Sequence, residues 1–238
     1  MTQSNQVSFL RHNSFFGPED CDDKVLNIIG AGATGSWVAL LAAKMGWHNF
    51  KIWDQDLVES HNLPNQAYDV SHVGLLKVDA LKNVLTTFNP QISVTTFPHF
   101  FEGSNASHLS ELEDYVFVAV DSLSARKDIV ENLIYHPFAH TLFETKMGFT
   151  HAALNIIKTN DKKSMVSFLN MLKTDEEVTE SACNERIITT LTNVVSSNLV
   201  HFLCAHASLE RRNSSENFDY YGQHLFNFDN SKLNIYKI

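Results

Sequence analysis

Cysteine is scarce in this chain, with Cys21, Cys183 and Cys204 the only three in 238 residues. They are too few and too scattered for a disulfide framework. No two stand at CxxC spacing, which excludes a four-cysteine zinc site. Long hydrophobic runs are also lacking: none approaches the roughly 18 apolar residues that a membrane span needs. The opening residues, MTQSNQVSFLRHNS, have no basic start followed by an apolar core, so no secretory signal is expected. Positive charge is in deficit, 18 Lys and Arg against 27 Asp and Glu, for a net charge of −9. That balance argues against DNA or an anionic membrane surface as the main partner. There is no block of like charges, no internal repeat and no low-complexity segment. The expectation is a soluble, cytoplasmic protein.

What is present is apolar material, 44% of the residues with 17 Phe, enough for a sizeable core. Residues 1–23 are polar and irregular and read as an N-terminal surface arm. Val25–Ile29 is a short apolar run bounded by charge and glycine, the pattern of a central parallel strand. Trp37, Val38, Leu40, Leu41 and Met45 follow on a helix ended by Gly46. Phe50–Trp53 is a second strand, and a helix over about 73–88 stops at Asn89-Pro90. Strands at 92–97, 115–120 and 141–143, with a helix near 123–135, continue the alternation. This order predicts an α/β fold, a Rossmann-like doubly wound sheet, mostly parallel. Residues 151–158 read as an added antiparallel strand, 159–186 as a crossover loop, 187–207 as the most apolar helix, and 233–236 as a last strand. Residues 24–238 are taken as one domain.

Gly30-x-Gly32-x-x-Gly35 lies between a strand and a helix, the context that gives a glycine loop its meaning. The first glycine allows the tight turn, the second lets backbone approach a phosphate, and the third permits close helix packing. The helix start offers free N–H groups and partial positive charge. Asp54, closing the second strand, stands where an acid grips ribose hydroxyls. Thr34 merely keeps the turn small. These features alone fit an NAD-dependent oxidoreductase.

The continuation departs from a hydride-transfer site. After Asp54 come Asp56, Asn62, Leu63 and Gln66, and then Gly74-x-x-Lys77 at the start of the next helix. Two acids, an amide pair and a lysine converge on one crevice. Lys77 sits in a first helical turn, where a cation is unfavourable against the helix dipole but useful to a triphosphate. Asp121 ends the strand at 115–120 where ligands bind in open α/β sheets. It is spaced to hold a metal ion and to pair with Arg126 one turn on, or to serve only as a helix cap.

The order GxGATGS, then DxDxVExxNLxxQ, GxxK and DSLxAR resembles the ubiquitin-activating-enzyme superfamily of ThiF/MoeB/HesA type, over about residues 24–150. The resemblance implies ATP-dependent adenylation of a carboxylate with ATP and Mg²⁺, the acceptor being the C-terminus of a ubiquitin-like or other small protein or peptide. It implies that Gly30, Gly32, Thr34 and Gly35 line the nucleotide, that Asp54 holds the ribose and that Asp56 also belongs to the nucleotide site. Asn62, Gln66 and Lys77 would contact phosphates, and Asp121 would hold the metal. Arg11, on the arm, is similar in placement to an arginine that reaches into a partner's site, which implies a homodimer. Cys183 corresponds to a cysteine that accepts the activated product in some members. Asn65 stands where the family usually has arginine. A non-catalytic nucleotide-binding scaffold of the same fold is the remaining alternative.

Overall fold

The computed structural model of the chain describes residues 7–134, 136–148, 150–177, 189–212, 221–229 and 232–237. The first strand, β1 (Leu26–Ile29), is buried along its whole length and feeds α1 (Ala33–Met45). A left-handed Gly46 ends that helix, its N–H bonded back to Ala42 and Ala43. Next come β2 (Asn49–Trp53), α2 (Lys77–Phe88) and β3 (Ser93–Phe97). A short α3 (Ala106–Leu109) leads to β4 (Asp114–Val118), α4 (Leu123–Leu133) and β5 (Ala139–Met147). The second half contributes β6 (His151–Lys158), α5 (Lys162–Met171), α6 (Thr189–Arg211), β7 (Gly222–Asp229) and β8 (Lys232–Lys237).

The strands form one eight-stranded sheet in the order β3-β2-β1-β4-β5-β6-β7-β8. The first five run parallel, and β6, β7 and β8 are added antiparallel. The predicted doubly wound α/β sheet with antiparallel additions is therefore what forms. Alternate residues of each strand serve opposite faces. Leu26, Ile28, Ile52, Tyr115, Phe117 and Phe143 pack with α1, α2 and α6. Ile29, Trp53, Val116, Val118 and Leu142 pack with α4 and α5 on the other face. Because the chain leaves β1 toward one face and β4 toward the other, a crevice opens between their C-terminal ends, the switch point where such sheets bind ligands.

Three local readings change. The arm is not merely a surface feature: Phe16 and Cys21 are fully buried, Phe16 stacks on Trp47, and buried Asp20 pairs with Arg211 and Arg212. Apolar area on Phe16 outweighs the polar character of its neighbours. The stretch expected to be a crossover loop contains α5, capped by Asp161 and held by buried Met165 and Phe168. The polar tail carries a whole strand, β7, because its backbone completes the edge of β6.

Candidate active site

At the crevice the glycine loop is held by steric need at two of its three glycines. Gly30 has φ +102°, and a Cβ there would lie 2.6 Å from the Ala119 carbonyl oxygen. A Cβ on Gly35 would collide with the Gly30 carbonyl oxygen. Gly32 differs: a Cβ added to it meets nothing within 4 Å. Protein packing does not require that glycine, and its open side faces the space a ligand approaching the backbone needs. Thr34 is buried in the first turn of α1.

Asp54 secures the loop. Its Oδ2 accepts from Ala31 N at 2.7 Å and its Oδ1 from Asp56 N at 2.8 Å. Burial pushes its carboxyl up, while the Asp56 N–H, the Lys77 charge and the Ala31 N–H pull it back. Each oxygen keeps a second lone pair for a hydroxyl donor. Tyr68, which sequence reasoning passed over, ties the corner together. Its hydroxyl donates to Ala31 O at 2.7 Å and approaches Lys77 O at 3.3 Å. An aromatic ahead of an acidic turn carries no signal of that role in sequence.

Lys77 is the first residue of α2 and is almost buried, and its Nζ bonds Asp56 Oδ2 at 2.7 Å. Asp56 is thus Lys77's ion-pair partner, a use its reading as a nucleotide-binding acid did not anticipate. The second acid after β2 neutralises a cation that opposes the helix dipole. Asn62 Oδ1 accepts from Glu59 N at 2.9 Å, closing its own turn. Trp37 Nε1 donates to Asn65 O, and Ala67 N donates to Ser36 Oγ, so α1 fixes the backbone on both sides of Gln66. Gln66 is 8% exposed, and its Oε1 and the Asn65 Oδ1 are buried without a hydrogen-bond partner. Buried amide groups left unpaired are costly, and two of them beside an open glycine fit a ligand rich in donors and acceptors.

Across the crevice, Asp121 is exposed, and its Oδ1 accepts from Ser122 N at 2.8 Å. The helix cap is Ser122, whose Oγ accepts from Ala125 N. Asp121 is therefore neither cap nor partner of Arg126. Arg126 instead sends Nη2 to Val120 O at 2.6 Å and Nη1 to Glu144 Oε1 at 2.7 Å. The spacing argument failed because the fully buried Glu144, on the next strand, is the carboxylate that most needs a cation. Burial pushes Glu144 up, and Arg126, Lys146 and Asn155 oppose it. Asn155 Nδ2 donates to Glu144 Oε2 at 2.6 Å, and Gln223 Nε2 donates to Asn155 Oδ1. The chain of polar groups runs from the β4 exit to β7. Asp175 lies on the start of α4, accepting from Leu123 N, Ser124 N and Ser122 Oγ at 2.8–3.1 Å. Those donors hold its carboxyl down at about 2.

Arg11 is exposed on the arm, where His12 Nε2 donates to Met45 O at the far end of α1. Thirteen helical residues at 1.5 Å each put that end about 20 Å from the glycine loop. The structure does not bring Arg11 to the crevice of its own chain. Cys183 lies outside the described residues. Cys21 and Cys204 are buried, with their thiols pushed up chiefly by desolvation. Among the described residues no group of three or more His, Cys, Asp or Glu is gathered for a metal. No described helix is long and apolar enough to cross a membrane.

The ThiF family matches residues 15–235. The chain belongs to the ThiF family. Among curated relatives of this ThiF domain, the adenylyltransferase and sulfurtransferase UBA4 of Saccharomyces cerevisiae is 35% identical over 114 residues, 46% of this chain and 26% of its own length. The molybdopterin-synthase adenylyltransferase of Escherichia coli is 28% identical over 130 residues, 54% of this chain and 52% of its own. The chain thus spans about a quarter of the UBA4 relatives and half of the bacterial one. Crystal structures share the fold: E. coli MccB with ATP has a TM-score of 0.68 at 14% identity, covering 93% of this chain and 65% of that one. E. coli tRNA N6-threonylcarbamoyladenosine dehydratase, TcdA, has a TM-score of 0.63 at 18% identity, covering 83% and 91%.

Proposed function

We propose that this ThiF-family chain catalyses ATP-dependent adenylation of a carboxylate, the acceptor being the C-terminus of a ubiquitin-like or other small protein or peptide. The observation that carries the reading is the pairing, across one switch point, of an open backbone cradle at Gly32 with an uncommitted carboxylate at Asp121. The names of the matched relatives, both adenylyltransferases, support it.

Gly30, Gly32, Thr34 and Gly35 line the nucleotide in this reading, and Asp54 accepts from the ribose hydroxyls with its spare lone pairs. Gln66 offers its amide N–H groups to the phosphates, and Asn62 and Lys77 border them. Lys77 gives up part of its bond to Asp56 when a phosphate arrives, which moves the cation without creating a bare charge. Asp121 suits magnesium, which is held by one or two carboxylates together with substrate phosphates rather than by a protein cage. When bound, magnesium neutralises charge on the phosphate oxygens. The protein's part is positioning and electrostatic preorganisation, as in phosphoryl transfer generally. Arg11, remote from its own crevice, acts in the site of a second copy, so the working form is a homodimer. In this reading the Cys183 thiolate takes the acyl group from the adenylate as a thioester, and AMP departs with the electron pair of the acyl–oxygen bond.

The test is ATP–pyrophosphate exchange with candidate acceptors, beside thermal shifts with ATP and NAD⁺. Exchange that disappears in Asp121→Ala and Lys77→Ala is the expected result. A shift with NAD⁺ and none with ATP overturns the reading. A second reading, a nucleotide-binding scaffold without turnover, draws on the Lys77–Asp56 bond and on Asn65 in place of a cation. It predicts an ATP shift with no exchange for any acceptor.

A further inference from the structure

The cations named by the sequence motifs are already committed: Lys77 to Asp56, and Arg126 to Glu144. Yet adenylation requires a second anion, the acceptor carboxylate, to be brought to a phosphate beside the anionic Asp121. The β5 end of the crevice supplies what is missing. Val118 pairs with Glu144, the last position in the parallel β4–β5 register. Two residues farther on, β5 presents Lys146 where the other strand delivers Val120, one residue before Asp121. Lys146 shares the face of Glu144 by strand alternation. It is half-buried, and its charged neighbours are Glu144, Arg126 and Lys173. Among the described residues neither Lys146 nor Lys173 is in an ion pair. Glu144 is ion-paired to Arg126 through Oε1 and accepts from Asn155 through Oε2. Burial, reinforced by Arg126 and Lys173, pushes the Lys146 ammonium down, with Glu144 opposing. A desolvated, unpaired cation gains from an incoming anion. Lys173 is brought alongside by the Asp175 clamp two residues later, which fastens this segment to the start of α4.

We propose that Lys146, flanked by Lys173, is the acceptor-binding subsite that receives the carboxylate to be activated. The inference rests on the adenylation reading above. Neighbouring parallel strands lie about 4.8 Å apart. The β5 end is therefore displaced by two strands from the glycine loop, to the side of Asp121 away from the nucleotide's ribose. In-line attack by a carboxylate held there would require the α-phosphorus to lie between it and the leaving group. The carboxylate oxygen forms the new C(O)O–P bond, the bond from the α-phosphorus to the bridging oxygen breaks, and that electron pair departs on pyrophosphate. The acyl product has lost the carboxylate charge, so the cation grips reactant more than product.

The probe is glycylglycine, a minimal free C-terminal carboxylate, on the full chain with saturating ATP. Trace acetylation of lysines is read residue by residue by mass spectrometry. Glycylglycine is expected to slow labelling of Lys146 and Lys173 by more than about fivefold at saturation, leaving exposed Lys82 and Lys163 unchanged. Glycylglycinamide, which lacks the carboxylate, leaves all four unchanged. Lys146→Gln abolishes the protection of Lys173 while keeping the ATP thermal shift, and Lys146→Arg restores it. Equal protection by the amide, protection by ATP or pyrophosphate alone, or no protection at all overturns the subsite. Exchange activity reports on the adenylation reading separately: exchange without protection sinks only the subsite, and protection without exchange or ATP binding sinks only the reading.

Discussion

The two sides of the crevice are built differently. On the glycine-loop side, nearly every functional group is answered by a neighbour within about fifty residues of sequence. Asp54 takes the loop N–H groups, Asp56 takes Lys77, and Tyr68 bridges the loop to the start of α2. On the β4–α4 side, Asp121 is left exposed while its surroundings are fixed from far away, by Glu144, Asn155, Gln223 and Asp175. One side is stiff because most of its charged groups pair with one another, and the other because a buried ion pair and a clamp hold the backbone around an exposed carboxylate. A site that must accept a ligand keeps its free valence where the scaffold, not the side chain itself, provides the rigidity.

The largest effect expected from breaking this contrast is in the buried pair. Arg126→Met removes the ion-pair partner of buried Glu144 and should cost about 3–5 kcal/mol in urea unfolding. The double change Arg126→Met with Glu144→Leu should recover most of that loss, because both desolvation penalties go together. Asp121→Asn should leave the unfolding free energy in urea within about 0.5 kcal/mol of the parent, since the one hydrogen bond the side chain makes, from Ser122 N, can be kept by the asparagine oxygen. The same change should lower pyrophosphate exchange by about 10²-fold. A matching loss of stability would show Asp121 to be structural after all.

On the other side the glycines make a sharper contrast. Gly32→Ala should fold within about 1 kcal/mol of the parent and yet weaken ATP binding about tenfold or more, read by calorimetry. Gly30→Ala, strained at φ +102° and crowded by Ala119, should lose stability first. If Gly32→Ala binds ATP normally, the open side of the loop is not the phosphate cradle. Tyr68→Phe removes one well-formed hydrogen bond and should cost about 1 kcal/mol, with Ala31 and Lys77 losing protection in amide exchange. The smallest effect is at Asp175, whose lowered pKa of about 2 gives the sign. Its clamp is intact above the ordinary carboxylate range and is lost as pH falls through about 2. Protection of the Leu123 and Ser124 amides should fall over that window in the parent, whereas Asp175→Asn should show lowered, pH-independent protection there.

The glycine-loop side was legible because its signals are local. A strand, three glycines and an acid at the next strand's end are contiguous, and each answers a backbone requirement that any chain must meet there. The β4–α4 side was only half legible. Asp121 stood out by its place at a strand end, but Arg126 seemed its partner because they share a helical turn. Glu144, 18 residues on, was invisible until β4 and β5 lay side by side. Lys146 and Tyr68 were missed for the same reason, since neither belongs to a spaced motif. The amphipathic period of α5 was masked by its polar surroundings, and β7 by its lack of strict alternation.

By itself, then, the sequence determined the five parallel strands in order, the switch point and the glycine loop and acid placed beside it. Those follow from short-range rules: apolar period, glycine conformation, helix start. Only the tertiary structure decided which charges remain available. Ion pairing depends on which buried group most needs a partner, and burial is known only once the strands are assembled. Lys77 and Arg126, the cations the motifs advertise, are paired, whereas among the described residues Lys146 and its neighbour Lys173 are in no ion pair.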